Sequence, residues 1–151
     1  MQIKTLNLPK AIEVGDHFLN RNQALIALSL PEVKEVGDNF LYYNRELPSL
    51  SLPKVERVGD WFLVNNRELV TVDLTSLTQV GNKCLYWNRA LTALELPKLT
   101  GAGDYFLYWN KKITAIDLPK VERIGDYFLY RNRTQSSRFR KFYANQINQP
   151  A

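Results

Sequence analysis

The chain has 151 residues, 45% apolar and 23% charged, which is room for one domain of ordinary globular composition and argues against wholesale disorder. No apolar run exceeds five residues and Met1-Gln-Ile-Lys-Thr-Leu-Asn lacks the apolar stretch of a secretory signal, so neither a membrane span nor export is expected and the chain reads as cytoplasmic. One cysteine and one histidine exclude an internal disulfide framework and Cys/His zinc clusters, so no metal and no cofactor is expected.

The net charge of +5 suggests a nucleic-acid partner until it is divided by position. Residues 1–126 hold fifteen Lys/Arg and fifteen Asp/Glu, whereas 127–151 add Arg131, Arg133, Arg138, Arg140 and Lys141 and no acid. A neutral body lacks the concentrated positive groove that phosphate binding requires, so nucleic acid is not expected as a partner.

Gly15, Gly37, Gly59, Gly81, Gly103 and Gly125 recur every 22 residues without a slip. Leu8, Leu30, Leu52, Leu74, Leu96 and Leu118 keep the same register, as do Asn22, Asn44, Asn66, Asn88, Asn110 and Asn132. Pro9, Pro31, Pro53, Pro97 and Pro119 follow the leucines, with Thr75 the exception. A fixed period of this length is the mark of a solenoid.

The second copy shows the unit in chain order. Leu28 and Leu30 alternate with Ala27 and Ser29, the period of a strand with one buried face, and Pro31 ends it because it has no N–H for a ladder. Val33 and Val36 return to the core. Gly37 then predicts a tight or left-handed turn, Asp38 an N-cap opening a short helical turn that carries Phe40 and Leu41, and Asn44 a left-handed residue that closes it. A unit this small cannot bury its own apolar face, so the six copies in residues 1–134 must stack on one another with a continuous parallel sheet along one side. Residues 135–151 abandon the repeat. There Phe139, Phe142, Tyr143 and Ile147 have amphipathic helical spacing behind Ser136 and Ser137, which predicts a basic helix capping the last repeat; membrane contact by so short a tail is not expected.

Leu91-Thr-Ala-Leu-Glu-Leu-Pro resembles a leucine-rich repeat, and its continuation through Val121-Glu-Arg-Ile-Gly-Asp-Tyr-Phe-Leu-Tyr-Arg-Asn is similar to the bacterial BspA-like subclass. The resemblance implies an α/β repeat solenoid with a parallel sheet on its concave face and short helical or 3-10 turns on its convex face. It also implies a non-enzymatic scaffold that binds protein partners on the concave face. A piece of a longer surface adhesion protein is the alternative, which would move the chain to the cell surface.

On the strand face the outward columns read Thr5, Ala27, Ser49, Thr71, Ala93, Ala115 and Asn7, Ser29, Ser51, Asp73, Glu95, Asp117. Parallel strands sit about 4.8 Å apart, so Asp73, Glu95 and Asp117 form an acidic ladder flanked by Thr71, Ala93 and Ala115. That strip is the candidate site for a basic partner segment, unless Lys98 and Lys120 merely neutralise it. A second candidate surface is the column of Tyr43, Trp87 and Trp109 beside Tyr42, Tyr86, Tyr108 and Tyr130, which serves either as a binding hot spot or as inter-repeat stacking. Cys84 stands in a column otherwise filled by Phe and reads as a buried hydrophobe. His17 is three repeats away from it, so no dyad forms and catalysis is not expected. In the first repeat Leu6, Leu8, Ile12 and Val14 would leave one end of the core open, which makes self-association through that repeat a further expectation.

Overall fold

The computed structural model describes residues 2–132; the tail 135–151, expected to form a capping helix, lies outside them. Each coil contributes a three-residue strand and then a two-residue strand. The order is β1 (Thr5–Asn7), β2 (Glu13–Val14), β3 (Ala27–Ser29), β4 (Glu35–Val36), β5 (Ser49–Ser51), β6 (Arg57–Val58), β7 (Thr71–Asp73), β8 (Gln79–Val80), β9 (Ala93–Glu95), β10 (Gly101–Ala102), β11 (Ala115–Asp117) and β12 (Arg123–Ile124). The fold is a parallel repeat solenoid in which three ladders run from coil to coil.

The first ladder joins the three-residue strands, which present Thr5, Asn7 and their equivalents outward and the intervening apolar residue inward. It is not the single continuous sheet that was expected. Its strands pair as β1 with β3, β5 with β7 and β9 with β11. Just ahead of the strands, the N–H groups of Ile26, Val70 and Thr114 donate to the preceding coil at 2.9 Å; Pro48 holds that place in the third coil and has no N–H to give. Nothing in the residues explains the break between β7 and β9. The continuous sheet is the second ladder, β12-β10-β8-β6-β4-β2, where Val14, Val36, Val58, Val80, Ala102 and Ile124 stand in register.

The third ladder replaces the expected helical turns, and no helix occurs among the described residues. Every coil instead holds three non-glycine residues with φ between 51° and 65°, in alternate places: Asn39, Leu41 and Tyr43, for example, then Lys83, Leu85 and Trp87. Alternating the sign of φ straightens the chain rather than winding it, which frees its N–H groups for neighbouring coils. Asn39 donates forward to Asp60 O (2.9 Å), Leu41 backward to Phe18 O (3.0 Å) and Tyr43 forward to Val64 O (2.8 Å). Each left-handed residue costs about 1–2 kcal/mol. The inter-coil hydrogen bonds, and the complete burial of Phe40, Leu41, Phe62 and Leu63 between them, offset that cost.

Three local roles expected of the repeat are corrected by this geometry. No glycine has positive φ. A Cβ on Gly59 would instead lie 2.2 Å from Asp38 Oδ1 and 2.9 Å from both Asp38 N and Gly37 C, so glycine is there because the preceding coil passes too close. Asp38 caps no helix; its Oδ1 accepts the Asp60 N–H at 2.8 Å, and Asp16, Asp60, Asn82 and Asp104 do the same for the coil after theirs. Asn44 is not left-handed, the residue before it is. It lies fully buried and its Nδ2 donates to Leu19 O at 2.6 Å, a bond repeated by Asn66, Asn88, Asn110 and Asn132. The buried amide satisfies a carbonyl that the apolar interior would otherwise leave unpaired, which is why a polar residue recurs in this column.

Candidate functional site

The expected strip on the strand face is placed as the period-2 alternation requires. Thr71 and Asp73 lie on β7, Ala93 and Glu95 on β9, Ala115 and Asp117 on β11, and all six are exposed. Ala115 and Asp117 stand in register with Ala93 and Glu95. An open hollow of about 250 Å³ at the seam between β7 and β9 is lined by Thr71, Asp73, Ala93 and Glu95 together with Thr75 and Thr92. Ser51 Oγ donates to Asp73 Oδ2 (3.1 Å) and the Thr75 N–H donates to Asp73 Oδ1 (3.4 Å). Lys98 and Lys120 form no ion pair with the strip: among the described residues the ion pairs are Lys54 with Glu32 at 2.6 Å and Arg57 with Glu35.

Tyr43, Trp87 and Trp109 belong to the third ladder and are half-buried, while Arg21 and Arg131 of the same column are exposed and Asn65 is buried. Rings of successive coils stack: Trp87 on Trp109 (5.1 Å, 8°), Tyr86 on Tyr108 (4.9 Å, 2°), Tyr105 on Tyr127 (4.7 Å, 13°). The inner column of Phe18, Phe40 and Phe62 stacks likewise. Cations lie over the outer rings. Arg45 sits 5.7 Å from the Tyr43 centroid, Arg89 5.1 Å from Trp87, Arg131 5.7 Å from Trp109, and Lys83 4.0 Å from Trp61. Such contacts are worth about 0.5–1 kcal/mol at exposed sites. Burial, followed by the neighbouring Tyr108 and Tyr105, raises the Tyr86 phenol above its ordinary value; burial and then Tyr43 do the same for Tyr42.

Residues 16–23, 38–45, 60–67, 82–89, 104–111 and 126–132, which carry the third ladder, hold seven Lys/Arg and five Asp; cations lie over the rings, while Asp16, Asp38, Asp60 and Asp104 each accept a backbone N–H from the next coil.

Cys84 and His17 are not brought together. Cys84 fills its place in the Phe column at 0% exposure, its Sγ 3.2 Å from Gly59 O, and burial pushes its thiol up to about 12. His17 is exposed, with Asn20 Nδ2 3.3 Å from its Nδ1.

Short parallel strands with one inward apolar residue between two outward ones, stacked coil upon coil over a leucine core with a buried asparagine column, define a leucine-rich repeat solenoid. The BspA type leucine rich repeat region matches residues 12–136 in six copies, and the chain belongs to that family. A leucine-rich repeat protein from Bacteroides ovatus ATCC 8483, known from its crystal structure, shares the fold at a TM-score of 0.50 and 15% identity, over 85% of this chain and 46% of that one. The present chain thus spans less than half the length of that relative. No curated protein matches the sequence.

Proposed function

We propose that the chain is a non-enzymatic scaffold whose strand face takes an extended basic segment of a protein partner along Asp73, Glu95 and Asp117. The observation that carries this reading is a row of carboxylates, exposed in consecutive coils and without a lysine or arginine partner among the described residues. Like charges at strand spacing repel unless compensated, so an incoming row of cations relieves a cost already present in the free protein. The small side chains of Thr71, Ala93 and Ala115 leave the backbone of such a segment room to approach. Catalysis has no place in this reading, since the strip lies on an open face that does not exclude water. The test is calorimetric titration with an extended peptide alternating lysine and threonine, against the wild type and against Asp73→Lys/Glu95→Lys/Asp117→Lys. Salt-sensitive binding that the triple variant abolishes, with its thermal melt retained, supports the reading; equal binding by the variant, or none by the wild type, sinks it.

A second reading is self-association through the first coil, favoured by the state of its apolar side chains. Leu8, Val14 and Phe18 are only partly buried where their counterparts in the middle coils are buried, and Ile12 is 57% exposed where the other coils carry polar residues. Light scattering over a range of concentrations tests it. A mass that grows with concentration, and returns to monomer in Leu8→Asp, is the expected result, and a constant monomer refutes it.

A further inference from the structure

We propose that the hollow at the seam between β7 and β9 is an anchor subsite for a lysine side chain of the basic partner segment, and that it selects lysine over arginine. The inference rests on the reading above and names the side chain that the strip recognises.

The lining has two parts, and a lysine has the same two. Val70, Val72, Ala93 and Leu94 supply apolar surface to the hollow of about 250 Å³, and Val70 is 44% exposed. A four-carbon stem laid against them leaves water while its charged end stays at the polar side. That side is formed by Asp73 and Glu95 with the hydroxyls of Thr75 and Thr92. Ionised carboxylates only accept hydrogen bonds, and among the described residues neither Asp73 nor Glu95 is in an ion pair. A neutral apolar side chain would take the stem's place and leave both charges unanswered, and an acidic one would be repelled.

This combination is local to the seam. The other hollow on the strand face, about 310 Å³ between β1 and β3, is lined by Thr5, Leu6, Asn7, Ala27, Leu28 and Ser29 and holds no charged group. Its ladder is closed, with the Leu8 N–H on Ser29 O at 3.0 Å and the Ile26 N–H on Lys4 O at 2.9 Å. At the β7–β9 seam the corresponding bonds, Leu74 N–H to Glu95 O and Thr92 N–H to Val70 O, are missing. The two carboxylates therefore flank an opening in the sheet.

The choice between the two basic side chains follows from how Asp73 is already engaged. Its Oδ2 accepts the Ser51 hydroxyl at 3.1 Å and its Oδ1 the Thr75 N–H at 3.4 Å. A guanidinium binds best as a planar fork with both oxygens of one carboxylate in parallel, and at Asp73 that fork competes with a bond on each oxygen. An ammonium is a compact charge with three donors that turn independently. It takes one acceptor from Asp73, one from Glu95 and one from a threonine hydroxyl, and displaces nothing.

The experiment titrates the full chain calorimetrically with the alternating lysine and threonine peptide and with its arginine and threonine counterpart, which carries the same charge at the same spacing. The wild type should bind the lysine peptide at least fivefold more tightly. Ala93→Leu, which puts a branched side chain into the hollow without altering charge, should remove that difference, weakening the lysine peptide about tenfold and the arginine peptide about twofold. Ala27→Leu, in the same column but at the uncharged hollow, should change either affinity less than twofold. Thermal melts establish that each variant is folded, and the comparison of the two peptides on the wild type needs no variant. Equal or tighter binding of the arginine peptide by the wild type overturns the proposal. So does equal weakening of both peptides by Ala93→Leu, which crowding of the peptide backbone alone would produce. If the two peptides bind the wild type alike and Asp73→Lys/Glu95→Lys/Asp117→Lys binds neither, the acidic strip stands without a lysine subsite; if neither peptide binds the wild type, the strip falls and the subsite with it.

Discussion

Gly59→Ala tests whether close packing between coils, rather than backbone conformation, dictates the glycine column. The new Cβ would lie 2.2 Å from Asp38 Oδ1 and 2.9 Å from Asp38 N and Gly37 C. The last two atoms are backbone and cannot swing aside. Restoring ordinary contact moves the coils apart by roughly 0.5–1 Å, and three hydrogen bonds cross the gap beside it: Gly59 N to Val36 O (2.9 Å), Asp60 N to Asp38 Oδ1 (2.8 Å) and Asn39 N to Asp60 O (2.9 Å). Lengthened by that much, most of them leave hydrogen-bonding range. At about 1 kcal/mol each they account for ~3 kcal/mol, and overpacking strain adds ~1–3 kcal/mol. The intrinsic gain of alanine over glycine, ~0.4–1 kcal/mol where φ is negative, is far too small to cancel this. Gly15→Ala is the matched control, since its Cβ meets nothing within 4 Å and its φ is not positive; it should stay within ~0.5 kcal/mol of the wild type. Urea unfolding followed by far-ultraviolet circular dichroism gives both numbers, with the m-value checking that the transition stays cooperative. A Gly59→Ala within 0.5 kcal/mol of the wild type, to the same ~0.5 kcal/mol resolution, would refute the reasoning. So would full recovery in Gly59→Ala/Asp38→Ala, which removes the carboxylate but leaves the two backbone contacts.

Asn88→Ala removes the acceptor of the Asn66 N–H (2.8 Å) and the donor to Leu63 O (2.7 Å) at a fully buried position, and at ~1–3 kcal/mol for each of the two groups left unsatisfied urea unfolding should show a loss of about 2–6 kcal/mol. Cys84 should resist alkylation by iodoacetamide at pH 8 in the native protein and react at once in urea, because burial holds its thiol at about 12. The same shift makes stability depend on alkaline pH: the unfolded thiol ionises first, so the stabilisation is complete below about pH 9 and is lost as pH rises towards 12. Tyr42 and Tyr86, raised by burial, act in the same sense above the ordinary phenol range, and absorbance at 295 nm should show part of the tyrosine complement titrating late. Lys54→Ala breaks an exposed ion pair with Glu32 and should change the urea midpoint by an amount equivalent to less than ~1 kcal/mol.

Features that depend on alternation along a strand were legible in the sequence, because their cause is local. Thr71, Asp73, Ala93, Glu95, Ala115 and Asp117 lie where a period of two places them, and Cys84 could be assigned to the core from its column alone. The Gly, Asp and Asn columns were visible as constraints while their reasons were not. Read within one unit, Gly37 suggests a turn, Asp38 a cap and Asn44 a left-handed residue; the atoms that matter to each belong to another coil, 22 or 25 residues away in the chain. The left-handed residues gave no signal, since Leu41, Tyr43, Trp61 and Trp87 are not residue types that favour positive φ. Only the hydrogen bonds available once coils are stacked make that conformation tolerable, and a single copy read alone has none of them.

The asparagine and aspartate bonds have a consequence for which changes of length this protein tolerates. Each bond joins a residue to its equivalent one coil on, or to one three places removed from it, so the lattice of partners is unchanged by adding or removing 22 residues and disrupted by adding one. A single-residue insertion throws out of register every Asp, Gly and Asn contact that spans it, in all three ladders of that coil at once, whereas duplication of a whole coil renews every bond in place. Length in this molecule is therefore quantised: gene duplication and unequal recombination can draw it out or shorten it coil by coil, and small insertions are admitted only where they bulge from a corner without shifting the register.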